Sequence, residues 1–220
     1  MADRGWGRMA LGAAVLGLSV LASDPAAAHP HGWIDVRSAL VFDDRGRAVA
    51  LRQVWLFDAF YSAFAVEGLD QDGDGKPDQA GLAALLRENM TNLQAYDYFT
   101  RVESGGAPVA FAPVNEMSSR MRGDRLEMRF TIAFAAPAEA DGDGLTYAIF
   151  DPTYYIEMLH VDADAVQLVD APEGCAFLLV EPGPDPEAIA LAAMLDRTES
   201  GGDDLGAQFA ETVTVRCAAR

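Results

Sequence analysis

Histidine, cysteine and positive charge are all scarce in this chain. Its 220 residues include three His and two Cys, and 16 Lys and Arg stand against 34 Asp and Glu, a formal net charge of -18. So acidic a surface repels phosphate backbones and argues against a nucleic-acid partner. It suits cationic metals or basic protein surfaces, although acidity that merely keeps an exported protein soluble is the simpler explanation of the charge. There is no G-x-S-x-G, and neither Cys175 nor Cys217 lies in a C-x-x-C, so serine or cysteine nucleophilic chemistry finds no support. Metal hydrolases need several fixed ligands and a general base, and the histidine supply is thin for that. A non-enzymatic role is therefore the expectation.

Long apolar runs are also missing. The longest, residues 9–21, is well short of the roughly 20 residues of a membrane-spanning helix. Arg4 and Arg8 precede it and Ala26, Ala27 and Ala28 follow it, the layout of a cleavable secretory signal. This predicts a leader over residues 1–28, a mature chain beginning at His29, and a single domain over 29–220 with no membrane span. Removing the leader takes away two Arg and two Asp and leaves the charge at -18. An even cysteine count in an oxidising compartment predicts a Cys175–Cys217 disulfide.

The pattern along the mature chain is that of an α+β domain, mostly antiparallel strands with a helix-loop-helix insertion and one further helix. Residues 33–57 alternate around a Gly46 turn, as a hairpin does. Asp58 suits the cap of a helix, and Leu82, Leu85, Leu86 and Leu93 share one face of a second. Strands are expected at 98–102, 109–114, 126–134, 146–150, 154–161, 175–180 and 209–217, and a helix at 186–195 behind Asp185 and Pro186.

The predicted mature start is HPHGWID. In an extended chain, side chains two apart project to one side about 6.6 Å apart, so His29 and His31 can chelate one cation, with the terminal amine as a third nitrogen. Pro30 has no N–H to lose, which blocks the square-planar site made from backbone amides. Imidazole and amine ligands suit zinc, nickel, cobalt or copper. Asp35 would lie about 13 Å along a straight strand, too far to share that ion, and suits a positioning role or a salt bridge within the sheet. His160 is a candidate third ligand. Glu157 and His160 would form a Glu-x-x-His pair on a helix but face opposite sides of a strand.

Residues 70–78 place Asp70, Asp72, Asp74, the Lys76 carbonyl and Asp78 at positions 1, 3, 5, 7 and 9 of an EF-hand-like calcium loop, with Gly75 at position 6. Gly81 stands where the bidentate Glu belongs, which predicts low-affinity calcium binding of about 0.1–1 mM or a plain helix–helix turn.

A leader ending at HPHGWID, the segment FDPTYY, the closing strand FAETVTVRC and the Asp/Gly loop together resemble a family of periplasmic proteins of unknown function. Its members are labelled as components of ABC-type transport systems and associated with nickel, cobalt or zinc permeases. The resemblance implies a periplasmic accessory protein handling a divalent transition metal for an inner-membrane permease or ABC-type transporter. It also implies that Trp33, Asp35, Asp151, Tyr154 and Tyr155 position the site. The competing readings are a copper-dependent enzyme using the terminal histidine, and a metal-free interaction domain docking a membrane transporter.

Overall fold

A computed structural model describes residues 30–162, 164–195, 201–202 and 204–218. The expected leader and His29 lie outside these residues. Strands β1 (Gly32–Phe42) and β2 (Ala48–Phe57) form the predicted hairpin, with Ile34 opposite Phe57 and Leu40 opposite Leu51. Alternate side chains of β1 are buried from Gly32 to Phe42, as a strand with one face on the core requires. Helix α1 (Ala59–Ala65) follows at once, capped by Asp58, whose carboxylate accepts the Tyr61 N–H at 2.8 Å. Tyr61 and Ala65 pack against the core, whereas Phe60 and Phe64 are 85% and 72% exposed.

Helix α2 (Gln79–Leu93) buries Leu82, Leu86 and Met90, and a 3-10 turn, Gln94–Phe99, leads into β3 (Thr100–Ser104). The two-residue β4 (Ala107–Pro108), β5 (Met117–Arg122) and β6 (Arg125–Ala138) come next, with the Arg122–Arg125 pair closing the hairpin at Gly123. The chain continues through β7 (Leu145–Ile149), β8 (Ile156–His160), β9 (Val166–Val169), β10 (Ala176–Val180), α3 (Pro186–Met194), α4 (Leu205–Gln208) and β11 (Thr212–Arg216).

The strands make two sheets. A six-stranded sheet runs β5-β6-β2-β1-β8, with β9 also on β1, and a five-stranded sheet runs β10-β11-β7-β3-β4. Their inward faces share one core that includes Trp55, Met128 and Ile132 from the large sheet and Leu145, Tyr147 and Val213 from the small one. The α+β class holds, and pairing is mostly antiparallel. The β1–β8 and β1–β9 pairs are parallel. No helix among the described residues is long and apolar enough to cross a membrane. The disulfide is Cys175–Cys217, flanking the β10–β11 pair on which Ala176 faces Arg216.

The structure corrects several sequence expectations. Residues 109–114 do not form a strand. They run beside β6 through a bridge between Phe111 and Phe134 and bonds from Ala112 N to Ala133 O and Ala135 N to Ala110 O. Pro108 and Pro113 lack the donors that a regular ladder needs. The strand expected from Tyr98 begins at Thr100, because Asp97, Tyr98 and Phe99 have φ of 49°, 55° and 54°. Strand β9 and helix α4 were not anticipated.

Candidate functional site

The amino-terminal end of the described chain lies at the start of β1, inside the large sheet between β2 and β8. His31 donates its backbone N–H to the Tyr155 carbonyl at 2.8 Å, and the two rings stand 4.8 Å apart. Trp33 is half exposed, its N–H held by Asp58 Oδ2 at 3.1 Å. Asp35 makes the salt bridge that the sequence suggested: Arg125 Nη1 reaches its Oδ2 at 2.7 Å. The same guanidinium donates to the Phe57 and Leu56 carbonyls at 2.6 and 2.8 Å, so one side chain ties β1, β2 and β6 together below His31.

FDPTYY is a tight turn built around Asp151, which is buried. Its Oδ1 accepts the Thr153 N–H at 2.9 Å and the Thr153 hydroxyl at 2.8 Å, and its Oδ2 accepts the Ile156 N–H at 3.1 Å. The chain turns through Tyr154 at φ 59°, and the Tyr154 ring stacks on Phe209 at 3.8 Å. Burial, and then the Glu157 carboxylate that its hydroxyl meets, raises the Tyr154 phenol above the normal tyrosine range. Helix α4 closes over this turn. Gly206 donates to the Pro152 carbonyl at 2.9 Å, and a Cβ there would lie 1.8 Å from the Asp151 carbonyl oxygen. Asp151 and Tyr154 thus hold the turn that brings Tyr155 to His31.

The structure does not bring His160 to this end. Val36 is its register partner, whereas His31 lies level with Tyr155, five positions away and about 16 Å along the strand. The segment is a strand, so Glu157 and His160 are not a helical ligand pair. Both ring nitrogens of His160 are engaged: Nδ1 with Glu211 Oε2 at 2.8 Å and Nε2 with Ser38 Oγ at 2.9 Å. Ser38 in turn meets the Tyr147 hydroxyl at 2.8 Å, and Glu211 also accepts the His160 backbone N–H at 2.7 Å. The order Ser, His, Glu looks like a hydrolytic relay, but Ser38 is 3% exposed and the network lies between the sheets, out of reach of a substrate. It satisfies polar groups that the packing of the two sheets buries. No sequence motif announced it, because its members are dispersed from residue 38 to residue 211.

The aspartate loop is closed by hydrogen bonds from its own backbone to its carboxylates. Asp70 accepts the Gly73 and Gly75 N–H groups at 2.8 and 2.9 Å, Asp74 accepts that of Lys76 at 2.8 Å, and Asp78 accepts that of Gln71 at 2.8 Å. Carboxylate oxygens of Asp70, Asp72 and Asp74 lie within 4.8 Å of one another, the grouping among the described residues with the spacing of a metal site. Gly81 packs closely on Leu69, whose side chain would lie 3.3 Å from a Cβ at this position. The position that carries a ligand in an EF-hand here carries the contact between the loop and its second helix.

A family described as a protein of unknown function, DUF1007, matches residues 14–217. The chain belongs to that family. It is also similar to an uncharacterized protein of Haemophilus influenzae, 24% identical over 193 residues, which cover 86% of this chain and 91% of the relative. DUF1007 thus takes in both the histidine end and the aspartate loop.

Proposed function

We propose that this chain is a periplasmic accessory protein that binds one divalent transition metal, zinc, nickel, cobalt or copper, through His29 and His31 and yields it to an inner-membrane permease or ABC-type transporter. The observation that carries the reading is the mounting of His31. It adjoins a strand flanked on both sides, with its backbone bonded to Tyr155 and with Asp35 and Arg125 bracing the sheet beneath. A ligand fixed in this way loses little conformational freedom on binding, while a partly open coordination shell permits transfer. His160 takes no part in this site, because Glu211 and Ser38 engage its ring. No residue is assigned a catalytic role.

Titration of the untagged mature chain with each metal is expected to give one site of about micromolar affinity or better. Replacing His29 and His31 by Ala should abolish it, and His160→Gln should leave it intact. Unchanged affinity in the double variant, or no binding in the parent, sinks the proposal.

A docking role is favoured by a separate observation. Trp33, Phe60 and Phe64 are exposed large aromatics on two elements that Asp58 joins at the histidine end. In this reading they meet the transporter. Capture of the transporter that survives chelator but fails in Phe60→Ser plus Phe64→Ser would separate docking from metal delivery. The aspartate loop we read as a low-affinity structural calcium site, incomplete at Gly81.

A further inference from the structure

The turn between α2 and β3 is costly to form. Asp97, Tyr98 and Phe99 occupy the left-handed region in succession, at φ 49°, 55° and 54°, where any residue with a Cβ is disfavoured. The core holds the turn with a chain of buried hydrogen bonds. Trp55 Nε1 donates to Gln53 Oε1 at 2.8 Å, Gln53 Nε2 to Thr100 Oγ1 at 2.8 Å, and the Thr100 hydroxyl to the Tyr98 carbonyl at 2.9 Å. Gln53 and Thr100 are 1% and 5% exposed, so two polar side chains are committed to the interior for this purpose. The Tyr98 hydroxyl accepts the Val114 N–H at 3.2 Å, and the Phe99 carbonyl accepts the Phe150 N–H at 2.9 Å. Backbone strain that the surrounding structure enforces this heavily is a pointer to function.

The strained turn forms one wall of a cavity of about 630 Å³. That volume falls within the roughly 300–1,000 Å³ of small-molecule sites. Facing the turn are Arg101, Val109, Phe111 and Phe150, while Tyr96, Asp97 and Phe99 come from the turn itself. None of the metal-ligand candidates lines it. The Arg101 guanidinium carbon lies over the Phe150 ring, 5.1 Å from its centroid, a cation–π contact, and Arg101 lines the cleft with the guanidinium geometry that suits a carboxylate. The cleft therefore offers a cation beside an aromatic ring, an anion on the strained turn, and aromatic surface.

We propose that this cleft binds a zwitterion of dipeptide size with an apolar or aromatic side chain. Its carboxylate meets Arg101, its ammonium meets Asp97, and its side chain packs on Phe99, Phe111 and Tyr96. A free amino group and a free carboxylate on one small apolar molecule are the charge complement of this lining, which a purely anionic or purely hydrophobic ligand would match only in part.

The probe is the dipeptide phenylalanyl-leucine, added to the intact mature chain and followed by calorimetry and amide NMR. Saturable binding is expected with a dissociation constant below about 1 mM, with shifts at the 96–101 turn and at Phe111. Arg101→Gln, a change at an exposed side chain, should weaken it roughly tenfold. Acetylating the peptide's amine should weaken binding to the parent chain, but Asp97→Asn should bind the acetylated and free peptides alike. Asp97→Gly relaxes the turn, and it should raise the melting temperature while loosening the peptide. The proposal is overturned by absence of saturation at about 5 mM, by equal affinity in Arg101→Gln, by shifts elsewhere on the molecule, or by self-association of the chain through this cleft.

Discussion

The aspartate loop and the histidine end both present metal-ligand chemistry, yet they are built in opposite ways. The loop closes on itself. Its carboxylates accept N–H groups from residues no more than seven positions away, and Asp70, Asp72 and Asp74 are exposed. The histidine end depends on distant parts of the chain: Tyr155 is brought to it by the Asp151 turn, that turn is closed by Gly206, and Asp35 is anchored by Arg125. A local site can be read from a short window of sequence and survives damage elsewhere, whereas an assembled site carries the strain and stability of the whole fold.

The sharpest way to break this contrast is Gly206→Ala. A Cβ 1.8 Å from the Asp151 carbonyl forces helix α4 off the FDPTYY turn, with an expected loss of about 3 kcal/mol in denaturant unfolding. The His31 and Tyr155 NMR signals should move while those of Asp70 to Asp78 stay in place. Equal disturbance of both regions would show that the loop is as dependent on the rest of the fold as the histidine end.

A smaller effect is expected at Glu127, on the outer face of the large sheet in the row that also holds Leu56 and Asp35. It is hidden from water beneath Arg120 and Arg129, which it meets at 2.7 and 2.8 Å. Burial alone would raise its carboxyl, but the hydrogen bonds from Arg129 and Arg120 outweigh this and hold it below the ordinary glutamate range. A lowered folded value means that the ionised form stabilises the native state above the unfolded value, and that this contribution is lost as pH falls through the folded value. Glu127→Gln should therefore cost about 1–3 kcal/mol at pH 7, with the gap to the parent chain closing in acid. A gap independent of pH would show that packing, not charge, braces the sheet under His31.

The smallest expected change is at the loop. Asp70→Ala removes two backbone N–H acceptors in an exposed segment and should cost under about 1 kcal/mol. It should also abolish any calcium-dependent change in the amide spectrum of Asp70 to Asp78 without touching His31. Loss of transition-metal affinity in this variant would join the two regions after all.

The elements with strong local signals were legible. The Gly46 hairpin, the Asp58 and Asp185 caps, the face of α2 and the aspartate loop each follow from residues close in sequence, and the disulfide joins the two cysteines that the sequence paired. Less was visible where the determinants are remote. Proline at 108 and 113 argued against a strand there, but apolar alternation masked it. The left-handed run at Asp97 to Phe99 has no glycine to announce it, because buried Gln53 and Thr100 enforce it from other strands. His160 looked like a spare ligand, and only its neighbours Glu211 and Ser38 revealed a structural network.

Sequence alone therefore determined the α+β class, the helix-loop-helix with its aspartates, and the chemistry available at the HPHGWID end. Each rests on side-chain period, cap chemistry or ligand spacing within about a dozen residues. The tertiary structure decided that His31 meets Tyr155 at the start of β1 while His160 lies between the sheets, where the Arg101 cleft opens, and why Gly206 must be glycine. Those outcomes depend on contacts between residues far apart in the chain, and a Cβ, a carboxylate or an imidazole acquires its role only when packing supplies its neighbours.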